Sequence, residues 1–232
     1  TTMKYIEKYL KPNMRVLEIG AATGRYSHAL AQKGYRVDAV ELVEHNIEIF
    51  KQNTIEGEPV TITQGNAMDL SAFESDTYDI TLVLGPMYHL FTREDKLKAL
   101  SEAIRVTKKG GIIFAAYCMG DASVLSYGFI RGEIYNIIEK CMLNTETFDT
   151  FSNPWDIFEL HRKEDIDKLR SEFNVTQLHF VASDGYTNHM RETVDKMDDR
   201  MYELYLKYHL AICERQDMIG YSHHTLDIFR KE

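Results

Sequence analysis

The stretch Val16-Leu17-Glu18-Ile19-Gly20-Ala21-Ala22-Thr23-Gly24-Arg25 is the first place where residue types and spacing could do chemistry. An apolar run leads into two glycines and then into a helical pattern. Glycine lets a backbone turn tightly and pass close to a ligand. The free N–H groups at the start of the following helix favour an anionic ligand group. Such a loop can be no more than a tight strand–helix turn. It can also bind a dinucleotide, but Ala22 stands where that fingerprint has the middle glycine that admits a pyrophosphate. Glu41 follows about 20 residues downstream, where an acid can accept both ribose hydroxyls of a nucleotide-like cofactor. That spacing suits cofactors with or without a pyrophosphate.

A second constellation is Leu84-Gly85-Pro86-Met87-Tyr88-His89-Leu90. His89 is the residue here able to take a proton near neutral pH. It could act as a general base, donate to an acceptor carboxylate, or only hydrogen-bond within its loop. Tyr88 reads as a pocket wall, and Gly85-Pro86 sets the turn. Further along, Arg131 lies among Tyr127, Phe129 and Tyr135. An arginine beside aromatics can fork onto a carboxylate, or simply face solvent. His161, in Phe158-Glu159-Leu160-His161-Arg162, is either a pocket residue or a surface histidine at a helix start. Trp155, after Pro154, is expected in the core. His223 and His224 are adjacent in a strand and face opposite sides, so they do not form a metal pair. No metal site is expected.

These residues need elements to hold them. Apolar runs at Arg15–Ile19, Arg36–Val40, Val60–Gln64, Tyr78–Leu84 and Ile112–Cys118 read as strands, with helical patterns between them. Thr92 is an N-cap whose box Asp95 can close, and Lys109-Gly110-Gly111 ends that helix. Strands that alternate with helices and are apolar throughout imply a parallel sheet covered on both faces. Residues 119–163 read as a mostly helical, aromatic cap inserted after the fifth strand. A helix near Glu164–Glu172, a strand Val175–Ala182, a long charged helix near Arg191–Arg215 and a last strand Thr225–Arg230 complete one domain, 1–232.

Taken in order, these segments resemble the class I S-adenosylmethionine-dependent methyltransferases. Glu18-Ile19-Gly20 with Gly24 is similar to their first motif and Val40-Glu41 to their second. Gly65-Asn66-Ala67-Met68-Asp69-Leu70 is similar to their adenine segment, usually Gly-Asp-Ala. Tyr78-Asp79-Ile80 through Leu84-Gly85-Pro86 resembles the fourth-strand motif, and Arg105-Val106 to Ile112 the segment before the fifth strand. The resemblance covers residues 14–118 and recurs at Gly220-Tyr221-Ser222-His223-His224. It implies a Rossmann-like α/β fold with a mostly parallel seven-stranded sheet, one strand antiparallel. It also implies S-adenosylmethionine as cofactor. Glu18 would face the methionine amino group, and Gly20, Ala21 and Gly24 would bind the cofactor. Glu41 and Leu42 would hold the ribose, and Asn66, Ala67 and Met68 the adenine. Leu84 would also contact the cofactor, and Tyr88, His89, Tyr117, Arg131 and His161 are the candidates for the acceptor. The fourth-strand segment is not the Asn/Asp-Pro-Pro-Tyr/Phe pattern of adenine- and glutamine-directed methyltransferases. It looks more like a branch acting on small molecules or peptides.

Composition narrows the partners. The chain has 232 residues, 44% of them hydrophobic, and a formal charge of −9. That charge, without a dense Lys/Arg run, argues against a phosphate backbone as partner. No apolar run is long enough to span a bilayer. Three widely spaced cysteines without a C-x-x-C pair suggest reduced thiols and a cytoplasmic location. The expected activity is O-methylation of a small molecule or peptide, including a carboxylate acceptor, with N-methylation as the alternative. A nicotinamide-dependent oxidoreductase or a non-catalytic cofactor-binding module are the readings from other classes.

Overall fold

The computed structural model describes residues 1–232. After a short helix α1 (Thr2–Tyr9), the chain alternates strand and helix: β1 (Arg15–Ile19), α2 (Arg25–Ala31), β2 (Arg36–Glu41), α3 (Glu44–Asn53), β3 (Val60–Gln64), β4 (Tyr78–Val83), α4 (Arg93–Val106) and β5 (Thr107–Met119). The later elements are α5 (Gly120–Ser123), α6 (Ile134–Glu139), β6 (Leu160–His161), α7 (Lys163–Arg170), β7 (Val175–Ala182), α8 (Arg191–Val194), α9 (Asp199–Ile212) and β8 (His224–Lys231).

The sheet order is β3-β2-β1-β4-β5-β8-β7, with the two-residue β6 on β5 as an addition. β8 runs antiparallel to both β5 and β7, and β1 to β5 are mutually parallel. The expected Rossmann-like sheet with one antiparallel strand is therefore present. Its central strands are apolar on both faces because helices cover both: Val16, Leu17, Ile19, Ile80, Leu82, Ile113 and Phe114 are wholly buried. β1 pairs with β2 on one side and β4 on the other, which makes its carboxyl end the switch point where open α/β sheets bind ligands.

Some boundaries differ from the sequence reading, each for a visible reason. α4 ends at Val106, before Lys109-Gly110-Gly111, because Thr107 already pairs with Tyr78 of β4 and its hydroxyl donates back to the Ala103 carbonyl at 2.6 Å. Gly110, at φ 76°, then lies within β5. Thr92 caps α4 by accepting from the Asp95 N–H at 3.1 Å, half of the expected box. The helix expected over Arg191–Arg215 is divided into α8 and α9. Asp198 accepts the Met201 N–H at 2.8 Å and so caps a new helix. Residues 119–163 are only partly helical. α5, a π-helical turn over Val124–Ile130 and α6 are followed by irregular chain, fastened where Leu143 bridges Thr150 and where Arg162 pairs with Asp121 and Asp149.

Candidate cofactor and acceptor site

A cleft of about 580 Å³ opens at the carboxyl ends of β1, β2 and β4. Its lining contains Glu18, Gly20, Ala21, Glu41, Leu42, Asn66, Ala67, Met68 and Leu84, together with Tyr88 and His89. Residues scattered over more than seventy positions meet because parallel strands deliver all their carboxyl ends to one edge.

The loop after β1 turns through left-handed backbone at Gly20 (φ 74°), Ala22 (φ 48°) and Gly24 (φ 90°). A Cβ at Gly20 would come within 2.7 Å of the Pro86 ring, so the loop and the Gly85-Pro86 turn touch across the cleft floor. Gly24, expected to bind the cofactor, does not line the cleft. A Cβ there would meet His28 and Phe50 at 2.6 Å, so this glycine serves helix packing beneath the loop. Ala22 has a Cβ in a region that favours glycine, and its N–H donates to Glu41 Oε2 at 2.8 Å.

Glu41 gathers donors. Its Oε1 accepts the Val43 N–H at 2.9 Å and the Asn46 amide at 3.2 Å, and its residue surface is only 6% exposed. Glu18 is more deeply placed, 2% exposed, with the Ser27 hydroxyl donating to it at 2.5 Å and no cation within reach. Burial pushes its carboxyl up to about 7, against the lowering effect of Ser27. A buried acid that faces a cleft and lacks a counter-ion suits a ligand carrying a positive group. Ser27 was not marked in the sequence, where it is one more polar residue in a helix.

Asn66 uses its amide oxygen to accept the Met68 N–H at 3.0 Å. Its Nδ2 is left as the group to donate toward a ligand, a role a carboxylate at this position could not fill. Leu42, 59% exposed, gives the cleft rim an apolar face.

On the other side of the cleft, the Tyr88 hydroxyl donates to the Leu84 carbonyl at 2.7 Å, and burial raises its phenol to about 12. His89 Nδ1 lies 2.9 Å from the Ile157 carbonyl oxygen. A carbonyl only accepts, so Nδ1 carries the proton, and in the neutral ring Nε2 keeps its lone pair. The same stretch of cap is tied down twice more. The Glu159 N–H donates to the Tyr88 carbonyl at 2.8 Å, and Glu159 pairs with Lys96 of α4 at 2.7 Å. Phe158 packs against both Tyr88 and His89, with ring centroids 5.6 and 5.5 Å away. The Ile157 carbonyl and Phe158 carried no signal in the sequence, because no side-chain pattern announces a backbone acceptor.

The other acceptor candidates lie elsewhere. Tyr117 is 1% exposed, with its ring edge on His161 at 5.2 Å. His161 is 4% exposed on β6, not a surface histidine, because β6 pairs with β5 and carries it inward. Neither of its ring nitrogens has a hydrogen-bond partner, and burial pushes it down to about 4. Arg131 is exposed, with its guanidinium over the Tyr127 ring at 5.7 Å. Trp155, expected in the core, is 93% exposed because the irregular segment around it has no partner layer. His223 and His224 engage different groups: His223 Nε2 meets the Ser126 hydroxyl at 2.6 Å, and His224 Nδ1 meets Asp184 at 2.8 Å. No cluster of three or more His, Cys, Asp or Glu suited to a metal ion occurs. The three cysteines are unpaired, and no helix is long and apolar enough to cross a membrane.

Residues 16–111 match the family model described as a methyltransferase domain. The YqeM protein of Bacillus subtilis (strain 168), named as a methyltransferase, is 26% identical over 110 residues, 47% of this chain and 44% of that protein. The chain thus spans less than half of that relative's length. The ubiquinone biosynthesis O-methyltransferase of Pseudomonas fluorescens (strain SBW25) is 23% identical over 185 residues, 78% of each chain. Among solved structures, an S-adenosylmethionine-dependent methyltransferase from Methanosarcina mazei superposes with a TM-score of 0.63 at 17% identity, covering 98% of this chain and 96% of that one. That likeness establishes the fold, and the family match covers the strands and loops that build the cleft. The chain therefore has the Rossmann-like fold of the S-adenosylmethionine-dependent methyltransferases, and residues 16–111 of it match a methyltransferase domain.

Proposed function

We propose that the chain methylates a hydroxyl oxygen of a small molecule, with His89 as the base. S-adenosylmethionine, when bound, supplies a methyl group already activated by its sulfonium charge. The residues of the cleft fit that cofactor. Glu18 takes the methionine ammonium, the one group that gives its buried carboxylate a counter-charge. Glu41 accepts from the ribose hydroxyls. Leu42, Ala67 and Met68 cover the adenine, and Asn66 Nδ2 donates to it. Gly20 and Ala21 let the backbone approach, and Leu84 lies against the acceptor side.

One observation carries the choice of a hydroxyl. The Ile157 carbonyl fixes the Nδ1–H tautomer of His89 and leaves a lone pair on Nε2 of a residue that lines the cleft. An acceptor hydroxyl gives its proton to Nε2 while its oxygen takes the methyl group. The remaining work is alignment, which the rigid loops after β1 and β4 supply. The segment Ile157–Glu159 makes the 119–163 cap part of the acceptor wall, so the cap sets acceptor choice. The similarity to an O-methyltransferase supports the same reading.

The test has two stages. Calorimetry should show binding of S-adenosylhomocysteine and none of NAD. Release of S-adenosylhomocysteine from S-adenosylmethionine is then followed with matched phenols and anilines. Turnover of phenols over anilines is expected, whereas turnover confined to anilines would overturn the hydroxyl assignment.

A further inference from the structure

We propose that His224, oriented by Asp184, holds an anionic group of the acceptor, so that the acceptor is a small hydroxy acid with a carboxylate beside its hydroxyl. This rests on the methyltransferase reading and adds the substrate class to it. The β7 and β8 ends reach the same edge of the sheet as the cleft. β8 starts there, and its first residue, His224, stands opposite Cys118 of β5. The His224 ring lies edge-on to Tyr88, with centroids 6.4 Å apart, and Tyr88 lines the cofactor cleft. His224 is therefore one side chain away from the cleft.

The pair is built rather than casual. His224 Nδ1 meets Asp184 Oδ2 at 2.8 Å. Asp184 also accepts the Ser222 hydroxyl at 2.5 Å, the Asn188 amide at 2.7 Å and the His224 N–H at 3.2 Å. Four donors hold one carboxylate, and they keep it ionised against its burial. Its hydrogen bond first, and the Cys118 sulfur second, raise His224 to about 10 and hold it as an imidazolium. The groups facing the ring are Asp184, the Cys118 thiol and Tyr88, while His223 turns to Ser126 and His189 on the other side. A thiol is a weak hydrogen-bond partner. The Nε2–H of an imidazolium therefore lacks a strong acceptor, and about half of the side chain is open to solvent. A carboxylate supplies that acceptor with charge assistance. With His89 and His224 both packed on Tyr88, one small molecule can present its hydroxyl to the first and its carboxylate to the second.

The three monohydroxybenzoates, each paired with its hydroxybenzamide, test this in the full chain, with and without S-adenosylhomocysteine. At least one acid should bind about tenfold or more tightly than its amide, the effect of one charged hydrogen bond. His224→Gln should erase that preference and leave S-adenosylhomocysteine affinity unchanged. Asp184→Asn should make the preference depend on pH, present near pH 6 and lost near pH 8, because the imidazole then titrates near its ordinary value of about 6.5. Wild type should keep it at both, and NMR of the His224 ring should report the shifted titration. No acid preference in any pair, or a preference that survives His224→Gln, overturns the proposal. Failure of wild type to bind S-adenosylhomocysteine overturns instead the methyltransferase reading beneath it, since the acid–amide comparison is also made without that ligand.

Discussion

The backbone N–H of Ala22 donates to the carboxylate of Glu41 at 2.8 Å, so the loop after β1 is pinned to the end of β2 before any ligand arrives. One acid thus serves two tasks, holding the loop and leaving one lone pair of Oε2 unused by the protein. Glu41→Ala should lower S-adenosylhomocysteine affinity at least tenfold, since charged hydrogen bonds contribute about 1.5–3 kcal/mol each. Calorimetry on the variant gives the value. Unchanged affinity would reduce Glu41 to a loop brace.

With Glu18 in its proposed role, cofactor binding becomes a proton-linked event. Its carboxyl, held near 7 by burial, is largely protonated in the free protein below that pH. A ligand ammonium favours the ionised form, so binding near pH 6 should release a proton, and affinity should fall as pH drops below about 7. Calorimetry in buffers of different ionisation enthalpy measures the release. Glu18→Gln should show no proton release and should bind at least tenfold more weakly at about pH 8.

Replacing His89 should separate turnover from binding. As a base it must be neutral, so acid should suppress the wild-type rate. His89→Ala should cost on the order of 10²–10⁴ in kcat and leave cofactor affinity in place. A pH–rate profile on a phenol acceptor checks both, and full turnover by the variant at every pH would return His89 to a structural loop role.

His161 should govern part of the acid stability. Its ring is buried without a partner and pushed down to about 4, with burial the main cause and Lys96 the second. A depressed histidine is neutral in the fold and must charge on unfolding. Its contribution is therefore full above about pH 6.5 and is lost as pH falls toward about 4. His161→Leu should flatten that slope relative to wild type. Denaturant melts from about pH 7 to pH 4 would show the two curves converging with acidity, and parallel curves would contradict the assignment.

The parallel strands and the cofactor loop were legible in the sequence because local rules set them. Apolar runs bounded by turns give β1 and β3 with the same ends as the structure, and β2 one residue too short. Gly20 and Glu41 could be named from loop type and spacing, and Glu18 and Asn66 from the resemblance; all four follow or end strands whose carboxyl ends a parallel sheet sends to one edge. What the sequence left open depends on chain returning from far away. Ile157 meets His89 across 68 positions through a backbone carbonyl, which has no residue code. Asp184 and His224 are 40 positions apart and meet because β7 and β8 pair antiparallel, a pairing that periodicity alone does not specify. His161 is carried inward because β6 pairs with β5, and Trp155 is exposed because its segment lacks a covering layer. Local sequence determined which residues end each strand. The tertiary pairing of the late strands and the cap decided which side chains face one another, because burial and hydrogen bonding there come from neighbours that sequence distance does not reveal.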